Sequence, residues 1–357
     1  MLDRATDVRP GEELPLDALN AHLQAHTDAV GRIVEVKQYP GGFSNLTYQL
    51  LDDYGKEYVL RRPPRGANIK SAHDMSREWR FLTALDEVWP YVPKPMHCCQ
   101  DEAVLGASFY IMEKMNGVIL RARPPKDIDL TPELMRRLST ATVDRLVELH
   151  TIDVDAYNLI DLGKPTGYAQ RQIDGWVRRY YKAETDELPA MNQLAEWLGA
   201  NVPQTQGRVA LIHNDYKYDN LVLNPIDPAH ILAVLDWEMA TIGDPLMDLG
   251  TTLGYWTESH EAKLNPLAAS NLTYLPGNLT RREVADRYAE RSGSPVDNLV
   301  FYYVYGTFKI GVILQQIYAR WKAGYSTDPR FGQLIHGVRL FAATGTKALE
   351  KDRISGL

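Results

Sequence analysis

Four polar residues stand at fixed offsets on a loop and just beyond it, between apolar runs of the 357-residue sequence. They are Asp215, Lys217 and Asn220, followed by Asp236 at the end of the next apolar run. Phosphoryl transfer from a magnesium nucleotide needs a carboxylate to receive the acceptor's proton, a cation beside the phosphoryl group, and oxygen ligands for the metal. A loop aspartate often only caps a turn. Four such groups in register instead predict that Asp215 and Lys217 are catalytic and that Asn220 and Asp236 bind Mg²⁺.

These residues also carry a resemblance to a known family. The stretch at 213–220 and the triplet at 236–238 resemble the catalytic motif of the aminoglycoside phosphotransferase and choline kinase family, which is related to the protein kinases. Asn214 stands where the family has glycine, and asparagine also tolerates left-handed backbone angles. The segment 243–248 fits the family as well. The resemblance implies that Asp248 braces the catalytic loop from the start of a helix.

The resemblance extends over nearly the whole chain and implies its architecture. The implied fold class is α+β, a protein-kinase-like bilobal fold with a small antiparallel β-sheet in the N-lobe and a mostly helical C-lobe. The N-terminal nucleotide-binding lobe would comprise residues 1–115, and the C-terminal catalytic and substrate lobe residues 116–357. ATP and Mg²⁺ are the cofactors that the resemblance implies.

A narrower resemblance concerns the acceptor of the phosphoryl group. The stretches 58–64, 77–80 and 235–245 resemble the kinase-like half of acyl-CoA dehydrogenase fusion proteins and bacterial kinases of hydroxy-acid breakdown. This subgroup implies phosphorylation of the hydroxyl of a hydroxyacyl-CoA before its oxygen is removed. The expected partner is therefore a small molecule, with a CoA thioester as the preferred class.

Three β-rich runs near the N-terminus, at 33–39, 44–51 and 57–62, predict an antiparallel meander. The first turn contains Gly41 and Gly42, and its backbone amides could fold over nucleotide phosphates with help from Ser44 and Asn45. A glycine pair in a hairpin is often only a turn. Its position before the next strand and the distant Asp215 set favour nucleotide binding.

The third of these runs ends in two arginines, where the resemblance implies a cation that grips the α- and β-phosphates. Comparison with the strand pattern of the kinases selects Arg61, although the usual residue is lysine. Arginine keeps the charge but brings a larger planar fork, so the pairing geometry must differ. The alternative is a solvated arginine at a sheet edge.

The expected partner of Arg61 is Glu78, on a helix predicted over about 71–85. Helical spacing places Glu78 on the same face as three apolar residues at i+3, i+4 and i+7. A carboxylate on an apolar face is costly unless it is paired. Pairing with Arg61 is favoured over the alternative, in which the glutamate reaches the rim of the helix.

The run 109–115 reads as a buried strand that leads into Asn116 and Gly117. The resemblance implies that this is the hinge between lobes, where main-chain groups of Glu113 and Met115 pair with adenine. Side chains do not specify backbone hydrogen bonds, so both assignments depend on the resemblance.

The second lobe is predicted to be mostly helical. Thr131 opens a helix with cap chemistry, and His150 ends it as a helix terminator rather than as a catalyst. The apolar stretch around 301–314 reads as the core of a long C-terminal helix.

A helix over about 170–183 carries several basic residues, among them Arg171 and Arg178, together with aromatic residues. Solvated charge is the ordinary role of such a face. A basic and aromatic surface would also suit an anionic, adenine-bearing CoA thioester. Arg171, Arg178 and Glu238 are therefore candidate substrate contacts.

The short spacing after Asp236 favours a small-molecule acceptor, because residues 243–245 follow too soon for a peptide-docking segment. Other acceptors stay open. Glu258 is acidic but lies in no dense acidic run for an aminoglycoside, and Tyr255 with Trp256 could form part of a choline cage. A sugar kinase is a further alternative. A nucleotide-binding regulator without chemistry is another, favoured by arginine in place of lysine.

Composition limits the other function classes. The net charge of −7 gives no support for nucleic acid or an anionic membrane as the main partner. No apolar run is long enough to span a bilayer, and the first residues lack the apolar core of a signal peptide. With Cys98 and Cys99 adjacent and best read as reduced thiols, a cytoplasmic location is predicted. The oligomeric state stays open.

Overall fold

The structure, a computed structural model, describes residues 5–40, 45–64, 75–203, 208–264, 271–326 and 328–357. The chain divides into two compact units, of which the first combines Met1–Ile119 with Leu221–Ala240. The second combines Leu120–Asn220 with Thr241–Leu357. The functional division after residue 115 stays a prediction, and it differs from the compact units in where it assigns residues 116–119 and 221–240. In the described part of the chain, no helix has the length and apolarity needed to cross a membrane.

The first unit is built on a five-stranded sheet in which every neighbouring pair is antiparallel. In chain order the strands are β1 (Ile33–Gln38), β2 (Leu46–Asp52), β3 (Glu57–Arg62), β4 (Pro95–Cys99) and β5 (Phe109–Glu113). Their spatial order is β1-β2-β3-β5-β4. Alternate residues of β2 are buried, as expected for a strand with one face on a core. The predicted meander of the first three strands is present.

Three helices and a hairpin complete the first unit. The helices are α1 (Leu16–His26), α2 (Met75–Leu85) and α3 (Glu102–Leu105). The hairpin pairs β7 (Leu221–Leu223) with β8 (Ile231–Val234). A short 3₁₀ turn, Trp237–Met239, follows β8 and packs against α2. The hairpin and this turn place Asp236 in the first unit.

The second unit is mostly helical. Its helices are α4 (Pro132–Thr151), α5 (Tyr168–Ala183), α6 (Pro189–Ala200), α7 (Pro245–Tyr255), α8 (Ser259–Leu264), α9 (Arg281–Ser292), α10 (Leu299–Lys322), α11 (Pro329–Gly332) and α12 (Leu334–Lys351). One small antiparallel pair joins β6 (Ala210–Ile212) to β9 (Thr241–Gly243). The cap predicted for α4 is present, because Thr131 Oγ1 accepts a hydrogen bond from the Leu134 backbone N–H at 3.2 Å.

Helix α10 is the centre of the second unit, and its first half is buried. It packs against α7 so closely that both helices need glycine at the contact. A Cβ atom on Gly250 would lie 2.1 Å from the Tyr302 carbonyl oxygen, and one on Gly306 would lie 2.0 Å from the Gly250 carbonyl oxygen. The small antiparallel sheet and the helical second unit confirm the predicted α+β class.

Candidate active site

The first group of candidate residues lies around Arg61, near the end of β3 and within the first unit. Arg61 Nη1 is 2.5 Å from Glu78 Oε1, and Arg61 Nη2 is 3.0 Å from Asp236 Oδ1. Glu238 Oε2 lies 3.8 Å from Arg61 Nη2 and accepts a hydrogen bond from Asn45 Nδ2 at 3.0 Å. We call these five residues the arginine cluster. The guanidinium thus meets three carboxylates, of which sequence analysis expected only Glu78.

Glu78 is buried on α2, as its helical position predicted. Its Oε1 atom also accepts a hydrogen bond from the Trp237 backbone N–H at 3.3 Å. Burial raises the pKa of the Glu78 carboxyl, although the charge of Arg61 opposes that effect. Glu78 therefore ties the strand that carries Arg61 to the turn that carries Asp236.

Asp236 occupies a left-handed backbone conformation, with φ of 69°. Non-glycine residues adopt this region infrequently, and aspartate is among those that do so most readily. The conformation turns the chain from β8 into the 3₁₀ turn. The side chain of Asp236 keeps 32% of its surface exposed. The Asp236 carboxylate is thus held by Arg61 and is still partly exposed to solvent.

The second group lies on the loop between β6 and β7, which we call the catalytic loop (residues 213–220). Lys217 Nζ lies 2.9 Å from Asp215 Oδ1 and 2.8 Å from Oδ2. Asn220 Nδ2 donates to the Asp215 backbone oxygen at 2.8 Å and to Oδ2 at 3.0 Å. Burial raises the pKa of Asp215, but the charge and hydrogen bond of Lys217, together with a hydrogen bond from Tyr255, more than offset that effect and the net pKa is lowered. Asp215 is therefore ionised at neutral pH.

Asp248, in the first turn of α7, fixes the start of the catalytic loop. Its carboxylate accepts hydrogen bonds from the backbone N–H groups of His213 at 2.7 Å and Asn214 at 2.8 Å. Asn214 has φ of 66°, so it occupies the left-handed conformation for which asparagine is suited. His150 Nε2 lies 3.1 Å from Asp248 Oδ2. His150 thus does more than end a helix, because it contacts the residue that holds the loop.

Lys309 is a residue near the loop that sequence analysis did not identify. It lies on α10, has 1% of its surface exposed, and donates to the Asn214 backbone oxygen at 2.6 Å. Burial lowers its pKa to about 8, against the opposing charges of Asp248 and Asp215. A buried lysine is unusual. The sequence does contain a sign of this residue's role, because Lys309 is the one charged residue in the apolar stretch 301–314.

Other predicted residues have less definite surroundings. Gly41, Gly42 and Ser44 lie outside the described residues. Glu113 ends β5, and its backbone N–H donates to the Lys94 oxygen at 2.8 Å. Met115 follows it on the segment that leads out of the sheet.

The candidate substrate arginines, Arg171 and Arg178, are exposed on α5. Arg171 donates to the backbone oxygens of Lys164 and Thr166. Its guanidinium is thus partly engaged in holding the segment that precedes the helix. The third candidate, Glu238, belongs to the arginine cluster rather than to this surface.

Three residues considered for other acceptors are engaged in local structure. The Tyr255 ring centroid lies 4.5 Å from Lys217 Nζ, and Trp256 Nε1 donates to the Leu279 oxygen at 2.8 Å. Glu258 is buried and accepts hydrogen bonds from the backbone N–H groups of Arg281 at 2.8 Å and Gly356 at 2.9 Å. These contacts disfavour the aromatic cage and the acidic pocket that choline or an aminoglycoside would need.

The donor atoms available for a metal fit Mg²⁺. Both recorded hydrogen bonds of the Asn220 amide use Nδ2, so Oδ1 is the atom left to face a cation. Asp236 supplies a partly exposed carboxylate. Mg²⁺ binds through one or two carboxylates together with substrate phosphates, rather than in an all-protein cage. Asn220 and Asp236 each offer an oxygen donor of the kind that Mg²⁺ prefers.

The chain is similar to known phosphotransferases and to part of several longer proteins. A family model for the phosphotransferase enzyme family matches residues 35–291. Acyl-CoA dehydrogenase family member 10 of Mus musculus is 35% identical over 326 residues, which are 90% of this chain and 30% of that protein. The chain spans less than half the length of the curated relatives it matches.

Solved structures show the same fold. The crystal structure of a proposed aminoglycoside phosphotransferase from Ralstonia eutropha jmp134 has a TM-score of 0.78 and 31% identity, covering 95% of this chain and 99% of that one. Choline kinase from Cryptosporidium parvum Iowa II has a TM-score of 0.63 and 12% identity, covering 95% and 97%. The second likeness concerns the fold alone. The predicted kinase-like fold is confirmed.

Proposed function

Because this chain belongs to the phosphotransferase enzyme family, we propose that it transfers the terminal phosphoryl group of ATP to a hydroxyl group of a small molecule. The observation that carries the proposal is the state of Asp215. Its carboxylate is buried and ionised, and it accepts hydrogen bonds from Lys217 Nζ and Asn220 Nδ2. Such a carboxylate can orient an acceptor hydroxyl and take up its proton as the phosphoryl group arrives.

Four further predicted residues have roles in this proposal. A carboxylate with a lowered pKa is a weak base, so Asp215 acts first by positioning the hydroxyl and accepts the proton late. Lys217 fixes Asp215 and adds positive charge beside the transferred group. Asn220 and Asp236 would hold Mg²⁺, which neutralises phosphate charge when it is bound. Arg61 would contact the α- and β-phosphates.

The acceptor that we propose is a hydroxyacyl-CoA. The mouse relative that matches 90% of this chain is named as an acyl-CoA dehydrogenase family member, which associates this kind of chain with acyl-CoA chemistry. The exposed arginines of α5, Arg171 and Arg178, would meet the anionic CoA moiety. An aminoglycoside, choline or a sugar would be the acceptor in the alternative readings, and a regulator would bind nucleotide without transfer.

A single screen tests the proposal. The purified protein is incubated with ATP and Mg²⁺ against hydroxyacyl-CoAs, choline, aminoglycosides and simple sugars, with ADP release and product mass as readouts. We expect phosphorylated product from hydroxyacyl-CoAs. Product from another acceptor would replace the substrate assignment, whereas nucleotide binding without product from any acceptor would favour the regulator.

A further inference from the structure

The second unit contains a cavity of about 400 Å³ between α10 and α12, at the C-terminal end of α7. Ile310 and Leu314 line it from α10, Gly337 and Phe341 from α12, and Tyr255 from α7. Residues four apart share a helix face, so each long helix presents one apolar stripe to the space. The volume lies within the range of small-molecule sites in proteins, about 300–1,000 Å³.

Tyr255 is a neighbour of both the cavity and the catalytic loop. That tyrosine lines the cavity, and its ring centroid lies 4.5 Å from Lys217 Nζ. Lys217 in turn holds the Asp215 carboxylate at 2.8 Å. A molecule whose hydroxyl lies at Asp215 would therefore have to pass Tyr255 to place its remaining part in this apolar space.

The charges on the cavity wall argue against a cationic occupant. Arg281 Nη1 lies 2.9 Å from Glu261 Oε1, so this carboxylate is already neutralised. The third charged residue of the lining is Lys347, which is exposed. Among the described lining side chains, the one carboxylate is thus already paired, which disfavours a cationic acceptor such as choline or an aminoglycoside.

We propose that this cavity receives the aliphatic chain of the acceptor, so that the acceptor is a hydroxyl-bearing acyl compound selected by chain length. The inference rests on the proposed phosphotransferase function, because it takes the hydroxyl to lie at Asp215. Each methylene that enters the cavity leaves water, which is expected to increase affinity about threefold to fourfold. The gain ends when the cavity is full.

Binding is measured first without chemistry, by calorimetric titration with saturated acyl-CoAs from butanoyl to dodecanoyl. The wild type is expected to bind more tightly with each added methylene until affinity reaches a plateau. The heat capacity change should become more negative over the same range, since it reports buried apolar surface. Equal affinity for all chain lengths would overturn the proposal.

Two variants move the plateau in opposite directions. Gly337→Leu places a side chain in the cavity, where a Cβ would lie 2.8 Å from the flexible end of Leu314, and should shift the plateau to shorter chains. Phe341→Ala enlarges the cavity and should shift it to longer chains. The matched control is Gly199→Leu on α6, where an added Cβ meets nothing within 4 Å, and it should behave as the wild type. An unchanged plateau in both cavity variants would contradict the proposal.

Measuring phosphoryl transfer to hydroxyacyl-CoAs of the same chain lengths tests the cavity assignment separately from the proposed phosphotransferase function. The same rank order in binding and in kcat/KM supports both. Transfer that is independent of chain length would keep the phosphotransferase and overturn the cavity assignment. Length-dependent binding without transfer to any acceptor would overturn the proposed function and, with it, the acceptor role of the cavity.

Discussion

At the scale of single residues, the proposed chemistry depends most on Asp215. Replacing it with asparagine keeps the shape of the side chain and removes the group that takes the proton. Asp215→Asn is expected to lower turnover by about 10²–10⁴, the range for a lost general base, and to leave nucleotide affinity nearly unchanged. Steady-state kinetics and nucleotide titration measure the two quantities. Asp174→Asn, an exposed carboxylate on α5, is the control, and near-wild-type turnover of Asp215→Asn would identify another residue as the base.

Arg61 and Glu78 are expected to act as a coupled pair. Arg61→Met leaves the buried Glu78 carboxylate without its ion partner, and Glu78→Gln removes the most buried of the three carboxylates around Arg61. Either change alone should weaken nucleotide binding. The double variant should lose less than the sum of the singles, by about 0.5–3 kcal/mol. Arg61→Lys should retain part of the activity because it restores a cation. Nucleotide affinities of the wild type, Arg61→Met, Glu78→Gln and the double variant complete the cycle, and Arg61→Lys is measured beside them.

The control for this cycle is Arg80→Met, which removes an exposed arginine from the same helix as Glu78. It should change nucleotide affinity little. Strictly additive losses, or full activity of Arg61→Met, would place the phosphate-binding cation elsewhere. Arg62 would be examined next, although it is buried and its Nη1 donates to the Leu105 oxygen at 2.6 Å.

The pairing of Arg61 with Glu78 could be predicted because helical and strand periodicity decide which way each side chain points. The further contacts of Arg61 with Asp236 and Glu238 could not. They depend on the left-handed turn at Asp236, and an apolar strand followed by aspartate does not specify that angle. Lys309 was missed because periodicity averages over an apolar stretch and does not show what one polar member contacts.

At the scale of elements, the catalytic loop is held by two helices. Helix α7 supplies Asp248, which accepts from the backbone N–H groups of residues 213 and 214, and α10 supplies Lys309, which donates to the carbonyl of Asn214. One peptide segment is thus fixed on both its donor and its acceptor sides. The orientation of Asp215, the next residue, follows from this.

Lys309→Met tests that arrangement. The change removes a charged hydrogen bond to the loop, and a bond of that kind contributes about 1.5–3 kcal/mol. We expect kcat to fall on the order of tenfold to a hundredfold. The melting temperature should change little, because the lost bond and the relieved burial of a charge oppose each other. Lys322→Met, at the exposed end of the same helix, is the control, and a parallel loss of stability and activity would indicate a merely structural role.

The pKa of Lys309 gives a pH dependence with a defined sign. The folded value of about 8 lies below the ordinary value of 10.5, so the folded state binds fewer protons between these values. This residue's contribution to stability therefore rises with pH across that window, while its charge on the loop is lost. The wild-type profile of kcat should fall through about pH 8, and Lys309→Met should lack that limb. An identical alkaline limb in both proteins would exclude Lys309 as its source.

Elements were predictable where the pattern was long and regular. The cap of α4 and the first three strands follow from cap chemistry, periodicity and turn residues. Strand β4 was not predicted, because Pro95 and its neighbours, among them His97 and two cysteines, include no β-branched residue. Residues 95–99 form a strand because they pair with β5, and the local sequence alone does not specify that pairing.

At the scale of the whole molecule, nucleotide binding should be visible as stability. A ligand that binds only the folded state adds about 2.7 kcal/mol at a concentration about one hundred times its Kd. MgATP is therefore expected to raise the melting temperature of the wild type by several degrees. Asp236→Ala should lose the part of this increase that depends on magnesium, because it removes a charged ligand. Thermal shifts measured with ATP alone and with MgATP separate the two parts, and an unchanged magnesium effect in the variant would contradict the assignment.

The first unit takes its residues from two separated stretches of the chain, with residues 120–220 between them. During synthesis, β1 to β5 leave the ribosome well before the β7–β8 hairpin and the Asp236 partner of Arg61 exist. Until more than one hundred further residues have been added, the first unit is incomplete. During this time Arg61 can pair with Glu78 but not with Asp236. A fragment that ends at residue 119 never acquires the hairpin and the turn that complete the first unit. We expect it to need chaperones that the full chain ceases to need once residue 240 has been made.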